Sequence, residues 1–195
     1  MHGLINRSIQ IFLRETYGKA LWAEVVEAAD LGFTDFEAML SYDDRITDRV
    51  IDAAAKVLKR PREAVLEDLG TFLVSHPNLE RLRRLLRFGG IDFADFLYSL
   101  DDLPARGQMA LPDLALPSLE LRGQGPDRFQ LFCKSPLAGI GHVVMGLLRA
   151  MADDYGALVL LEHEDRGPAG EVVVIHLLET RFAAGRRFEL GALAD

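Results

Sequence analysis

The chain has a single cysteine, Cys133, among its 195 residues. One thiol makes no intrachain disulfide and no multi-thiolate zinc site, so a cross-linked secreted scaffold and a zinc finger are both excluded. Cationic residues are also scarce: 22 Lys and Arg face 30 Asp and Glu, a formal charge of −8. A binder of nucleic acid or of an anionic membrane needs a cationic surplus on one face, and this balance argues against both. Arg81, Arg83, Arg84 and Arg87, with Arg62, form the one basic concentration, read here as the solvated back of an amphipathic helix. No stretch approaches about eighteen consecutive apolar residues, so no membrane span is expected. The opening residues 1–18 mix polar and charged side chains into the apolar ones, unlike a secretory leader, which leaves the cytoplasm as the natural compartment. Glycine-rich phosphate loops, G-x-S-x-G and H-E-x-x-H are missing too, and no enzyme is expected.

What is present is hydrocarbon: 49% of the residues are apolar, enough to bury a core in one domain. Up to about Leu103 the apolar residues recur at helical spacing, broken by turn signals. The first stripe is Leu4, Ile5, Ile9, Phe12 and Leu13, ending near Gly18. Leu21, Trp22, Val25 and Val26 begin a second, ending near Leu31 and Gly32. A third, through Val50, Ala54, Val57 and Leu58, follows Ser41 or Asp43 as its cap. Pro61 suits a first helical turn before Val65, Leu66, Leu69, Phe72 and Leu73. Leu79, Leu82, Leu85 and Leu86 form a short helix closed by Gly89 and Gly90, and Phe93, Phe96, Leu97 and Leu100 form the last. Residues 104–117 read as a proline-containing connector. Beyond it, Leu119 and Leu121, then Phe129, Leu131 and Cys133, alternate as strands; Ile140, Val143, Val144, Leu147, Leu148 and Met151 share a helix face. Residues 157–162 and 171–178 flank a turn and predict a hairpin. The expected fold is therefore α+β: a helical lobe over 1–104, and a lobe over 105–195 with a four-stranded antiparallel sheet and a helix.

Three stretches carry a family resemblance: residues 1–18, Tyr42-Asp43-Asp44, and above all 92–121, DFADFLYSLDDLPARGQMALPDLALPSLEL. They resemble heme nitric-oxide/oxygen-binding (H-NOX) domains, including the regulatory domain of soluble guanylate cyclase, and the likeness continues through 139–154. In that family a segment L-D-x-L-H, followed by P and then P-S, lies on the proximal side of a heme. Here it reads Leu100-Asp101-Asp102-Leu103-Pro104, then Pro112 and Pro117-Ser118. The resemblance implies that position 104 should hold the axial histidine, and it holds a proline, whose ring nitrogen is an amide with no lone pair for iron. Position 104 is read as continuing an inward helix face through Phe93, Phe96 or Leu97, and Leu100. The family's Y-x-S-x-R clamp on the heme propionates corresponds to Cys133-Lys134-Ser135-Pro136-Leu137, so Cys133 and Leu137 replace the tyrosine and arginine and only Ser135 is retained.

The resemblance also implies a pocket lined by Leu4, Ile5, Leu73, Val74, Val144 and Pro117. None of these offers a hydroxyl to bound dioxygen, so a loaded heme should favour nitric oxide or carbon monoxide. Substitute ligands are few. His2 lies near the family's distal side; Met109 and Cys133 lie nearer the proximal side, Cys133 reading first as a small buried hydrophobe. His142 reads as a surface histidine and His76 as a polar helix end before Pro77, while His163 and His176 belong to the terminal hairpin. Lys134 reads as a solvated charge, and the acids around His163 as solvent-facing. Three readings stay open: a sensory protein whose pocket has left conventional heme binding and serves as an adaptor or takes another apolar ligand; a heme sensor with a substitute ligand; or a small interaction protein with a filled pocket. The first two imply a signalling partner in trans, a histidine kinase or a cyclic-nucleotide enzyme.

Overall fold

The computed structural model describes residues 1–110, 116–167 and 170–186; Pro112 lies outside them. Helix α1 (Gly3–Tyr17) is capped by the His2 imidazole, whose Nδ1 accepts from Leu4 N at 3.1 Å. Its apolar stripe is as expected, but two polar side chains are buried with it. Asn6 accepts from Thr47 Oγ1 at 2.7 Å, and Gln10 bonds Asp35 and the Phe36 amide, so both tie α1 to its neighbours. Helix α2 (Lys19–Ala28) stops short of the expected Leu31, because the chain turns with Asp30 at a φ of 47°. Asp43 caps α3 (Asp44–Leu58), accepting from Arg45 N at 2.9 Å. Pro61 sits at the N-cap of α4 (Arg62–Ser75), one position before the expected first turn. A 3-10 turn (Pro77–Leu79) leads into α5 (Glu80–Arg87).

Helix α6 (Phe93–Tyr98) ends before Leu100, and a separate helix α7 (Leu103–Ala110) takes up the first part of the segment read as connector. Position 104 therefore does not extend the Phe93–Leu97 face; it lies in the first turn of a new helix. The physical reason is that proline, with φ already helical and no N–H to lose, is tolerated at a helix start. The missing donor costs nothing there.

Strands β1 (Ser118–Gly123) and β2 (Arg128–Lys134) pair antiparallel, as do β3 (Leu158–Asp165) and β4 (Glu171–Glu179), and the sheet runs β1-β2-β4-β3. Between the hairpins runs α8 (Ile140–Tyr155), buried on one side by the sheet and on the other by α4. Two glycines let α4 and α8 touch backbone to backbone. A methyl at Gly70 would stand 1.9 Å from Val143 O, and one at Gly146 would stand 1.9 Å from Glu67 O.

Two arginines of the basic concentration on α5 are not on a solvated face, while Arg84 is 41% exposed and pairs with Glu80 along the helix. Arg83 grips the buried Asp154 through Nε and Nη2 at 2.8–3.0 Å, and Arg87 lies 3.9 Å from the same carboxylate with its guanidinium over the Tyr155 ring. A carboxylate only 2% exposed demands such pairing, which helical periodicity on α5 alone does not reveal. Arg62 is likewise engaged, by Asp48 and Asp52 on α3.

Candidate functional site

Pro104 is half-buried in the first turn of α7, and its segment is tied to the sheet where Asp101 Oδ1 accepts from Leu121 N at 2.6 Å. Pro117, also half-buried, leads into β1. On α1, Leu4 and Ile5 are half-buried; on α4, Leu73 is half-buried and Val74 buried; on α8, Val144 is buried. These side chains present hydrocarbon only.

A cleft of about 700 Å³ opens where β2 runs into the loop before α8. Its walls are Arg62, Glu63 and Leu66 from α4, residues 133–136 with Ala138 and Gly139, His142 from α8, and His163, Asp165, Gly167, Gly170 and Glu171 from the terminal hairpin. Of the expected site, Cys133 and Ser135 line it; Pro104, Pro117, Leu137, Leu4, Ile5, Leu73, Val74 and Val144 do not. Strand register explains how the hairpin arrives there, since Glu171 stands directly opposite Cys133 across β2 and β4.

Glu171 organises this loop. Its Oε1 accepts from Gly139 N at 2.8 Å and Ile140 N at 3.1 Å; its Oε2 accepts from Gly141 N at 2.8 Å and meets His163 Nε2 at 2.8 Å. A carboxylate at the amino end of α8 satisfies amides that the helix leaves unpaired and complements its dipole. Gly141 has to be small, because a methyl there would stand 2.6 Å from the His163 ring and 2.8 Å from Glu171 Oε2. His163 in turn packs on His142, ring centroids 4.1 Å apart. His142 is thus only 15% exposed and is no surface histidine; its Nδ1 lies 3.5 Å from Glu67 Oε1 without hydrogen-bond geometry. The ring partner comes from strand β3, which explains why helical spacing placed His142 outside. Glu162 and Glu164 are solvent-facing as expected, and His176 lies 3.9 Å from Glu162. Glu171 and the His142–His163 contact went unread in the sequence; the unbroken β-branched run Val172, Val173, Val174 and Ile175 marks a strand but not its register.

The groups that the resemblance puts at the proximal and clamp positions offer little to a heme. Pro104 has no lone pair to offer iron. The Cys133 thiol, pushed up to about 12 by burial and then by the Glu171 charge, stays protonated, and it points to Leu131 O at 3.7 Å. Ser135 Oγ already accepts from Leu137 N at 3.2 Å, and Leu137 is a buried hydrocarbon. Lys134 is exposed at the cleft. Elsewhere, His2 spends Nδ1 on capping α1, Met109 is 87% exposed, and His76 stacks on Phe72 at 4.5 Å. Among the described residues, no three His, Cys, Asp or Glu are placed to hold a metal ion, and no helix is long and apolar enough to cross a membrane.

Comparison with known proteins gives one answer from sequence and from fold. The chain is 25% identical over 154 residues to soluble guanylate cyclase gcy-31 of Caenorhabditis elegans, covering 79% of this chain and 22% of that protein. It is 29% identical over 171 residues to soluble guanylate cyclase gcy-35 of the same organism, covering 85% and 25%. The chain thus spans about a quarter or less of the length of these cyclases. Among solved structures it superposes on the Fe(II) unliganded H-NOX protein of K. algicida with a TM-score of 0.76 at 14% identity, covering 92% of this chain and 98% of that one. It superposes on the S. oneidensis H-NOX protein in the Fe(II)NO ligation state with a TM-score of 0.74 at 18% identity, covering 92% and 100%. The α+β fold read from the sequence is thus the H-NOX fold. The sequence profile described as Haem-NO-binding matches residues 2–163, so this chain belongs to that family of heme-binding gas sensors.

Proposed function

We propose that this chain is a sensory H-NOX module that has left conventional heme binding and works in cytoplasmic signalling, as an adaptor or as the receptor for another apolar ligand. The observation that carries this reading is Pro104, set in the first turn of α7 where the family has its iron ligand. The clamp positions agree with it: a protonated thiol, an engaged serine hydroxyl and a leucine replace the charge-assisted bonds that hold propionates. The partner in this reading is a signalling protein acting in trans, a histidine kinase or a cyclic-nucleotide enzyme.

The experiment is an absorption spectrum of protein purified with heme supplied. The expected result is a colourless protein, or loose and substoichiometric heme that separates on gel filtration. A stable one-to-one complex with a sharp Soret band would overturn the reading, and exchanging His2, Met109 and Cys133 in turn would then find the ligand.

A further inference from the structure

The loop from Cys133 to Gly141 is an acceptor for a carboxylate, and it already holds one. Three consecutive backbone amides, of Gly139, Ile140 and Gly141, converge on Glu171, and the His163 ring closes the fourth side. That carboxylate is only 13% exposed, lies directly across the sheet from Cys133, and forms the inner wall of the cleft. The remaining charges of the cleft do not offset it. Arg62 is paired with Asp48 and Asp52, while Glu63 and Asp165 add acid to the lining, leaving Lys134 at the exposed rim.

We propose that Glu171 is a built-in anion that takes the place of ligand carboxylates at this loop, so the cleft between β2, α4 and α8 admits a neutral ligand and turns away one carrying acid groups. Two like charges brought together in a partly desolvated site repel strongly, and an amide cradle that is full has no donors left for a second carboxylate. The inference rests on the reading that the family's propionate contacts are gone. It adds the reason that restoring them from the ligand side is opposed, and it states the class of ligand: one without carboxylates.

Two probes share a ring and differ only in charge: iron protoporphyrin, with two carboxylates, and its dimethyl ester. Titrating each into the full chain and following the absorption spectrum gives a ratio of affinities. The expected ratio favours the ester by at least about tenfold. In Glu171→Gln it falls toward unity, because the diacid gains affinity and the ester does not. Glutamine also turns an NH2 toward the Gly141 amide, so melting curves must accompany the titrations. Should that variant fail to fold, the same ratio in the unmodified protein is followed as sodium chloride is raised; a repulsion at a half-open cleft weakens with salt, and the ratio should shrink.

A ratio near unity in the unmodified protein, a ratio unmoved by Glu171→Gln or, where that variant is unavailable, by salt, or failure of either protein to bind either ring would each overturn the proposal. The two readings separate cleanly. A tight one-to-one heme complex with a ratio that still responds to Glu171 sinks the loss of conventional heme binding and leaves the built-in anion standing; weak, substoichiometric binding of both rings with an unresponsive ratio does the reverse.

Discussion

Replacing Pro104 with histidine returns an imidazole to the first turn of α7, yet it leaves Cys133 and Leu137 where a hydroxyl and a guanidinium would grip propionates. Pro104→His alone should therefore bind heme weakly, and the triple change Pro104→His, Cys133→Tyr, Leu137→Arg at least about tenfold more tightly, charge-assisted bonds being the strong ones. Heme titration checks this; family-like affinity from the single change would make the clamp irrelevant. The triple variant places a ring at a site only 2% exposed, so some overpacking cost, about 1–3 kcal/mol, should appear in its melting curve. Loaded with ferrous heme, it should bind carbon monoxide and nitric oxide and show no stable oxy spectrum, since Leu4, Ile5, Leu73, Val74 and Val144 carry no donor. Position 104 and the clamp positions are assigned from the sequence resemblance alone, each as a residue identity at a fixed spacing. The role of Glu171 was not legible there, because it depends on which residue of β4 faces Cys133.

At the scale of elements, the crossing of α4 over α8 joins the helical part to the sheet. Gly146→Ala pushes a methyl into the Glu67 carbonyl, which is backbone and has nowhere to move. It should cost more than about 2 kcal/mol, read as a fall in Tm of about 5 °C or more. Arg83→Met tests the second fastening, between α5 and α8. It leaves Asp154 buried beside Arg87 at 3.9 Å, and a loss of about 2–4 kcal/mol is expected by denaturant unfolding. Adding Asp154→Leu should recover most of it, because a buried pair removed together leaves no stranded charge. If Arg83→Met is neutral, the pair is no fastening. Helical periodicity foresaw α5 but not which of its faces finds a carboxylate, and the connector reading of 104–117 missed α7 because proline marks a helix start as readily as an end.

For the whole molecule, two weak acids, buried Cys133 and half-buried Tyr155, set an alkaline limit. Burial first, then nearby Glu171, pushes the Cys133 thiol from 9.0 up to about 12; burial likewise pushes Tyr155 from 10.0 up to about 12, against the Arg87 charge. Both are raised in the folded state, so the unfolded chain loses these protons first. The stability they contribute is complete below about pH 9 and is lost as pH rises toward about 12. Unfolding free energy measured across that window should fall, and Tyr155→Phe should flatten the fall; a flat profile in the unmodified protein would contradict the assignment. Cys133 should also resist thiol reagents near pH 8 until the chain unfolds. By itself the sequence determined the α+β plan and the pairing of the two hairpins, because hydrophobic period and turn residues are local properties. Only the tertiary structure decided that Glu171 fills the loop before α8, that His142 packs on His163, and that Arg83 is buried on Asp154. Each joins residues remote in the chain, and strand register and helix crossing, which bring them together, are set by packing of the whole core.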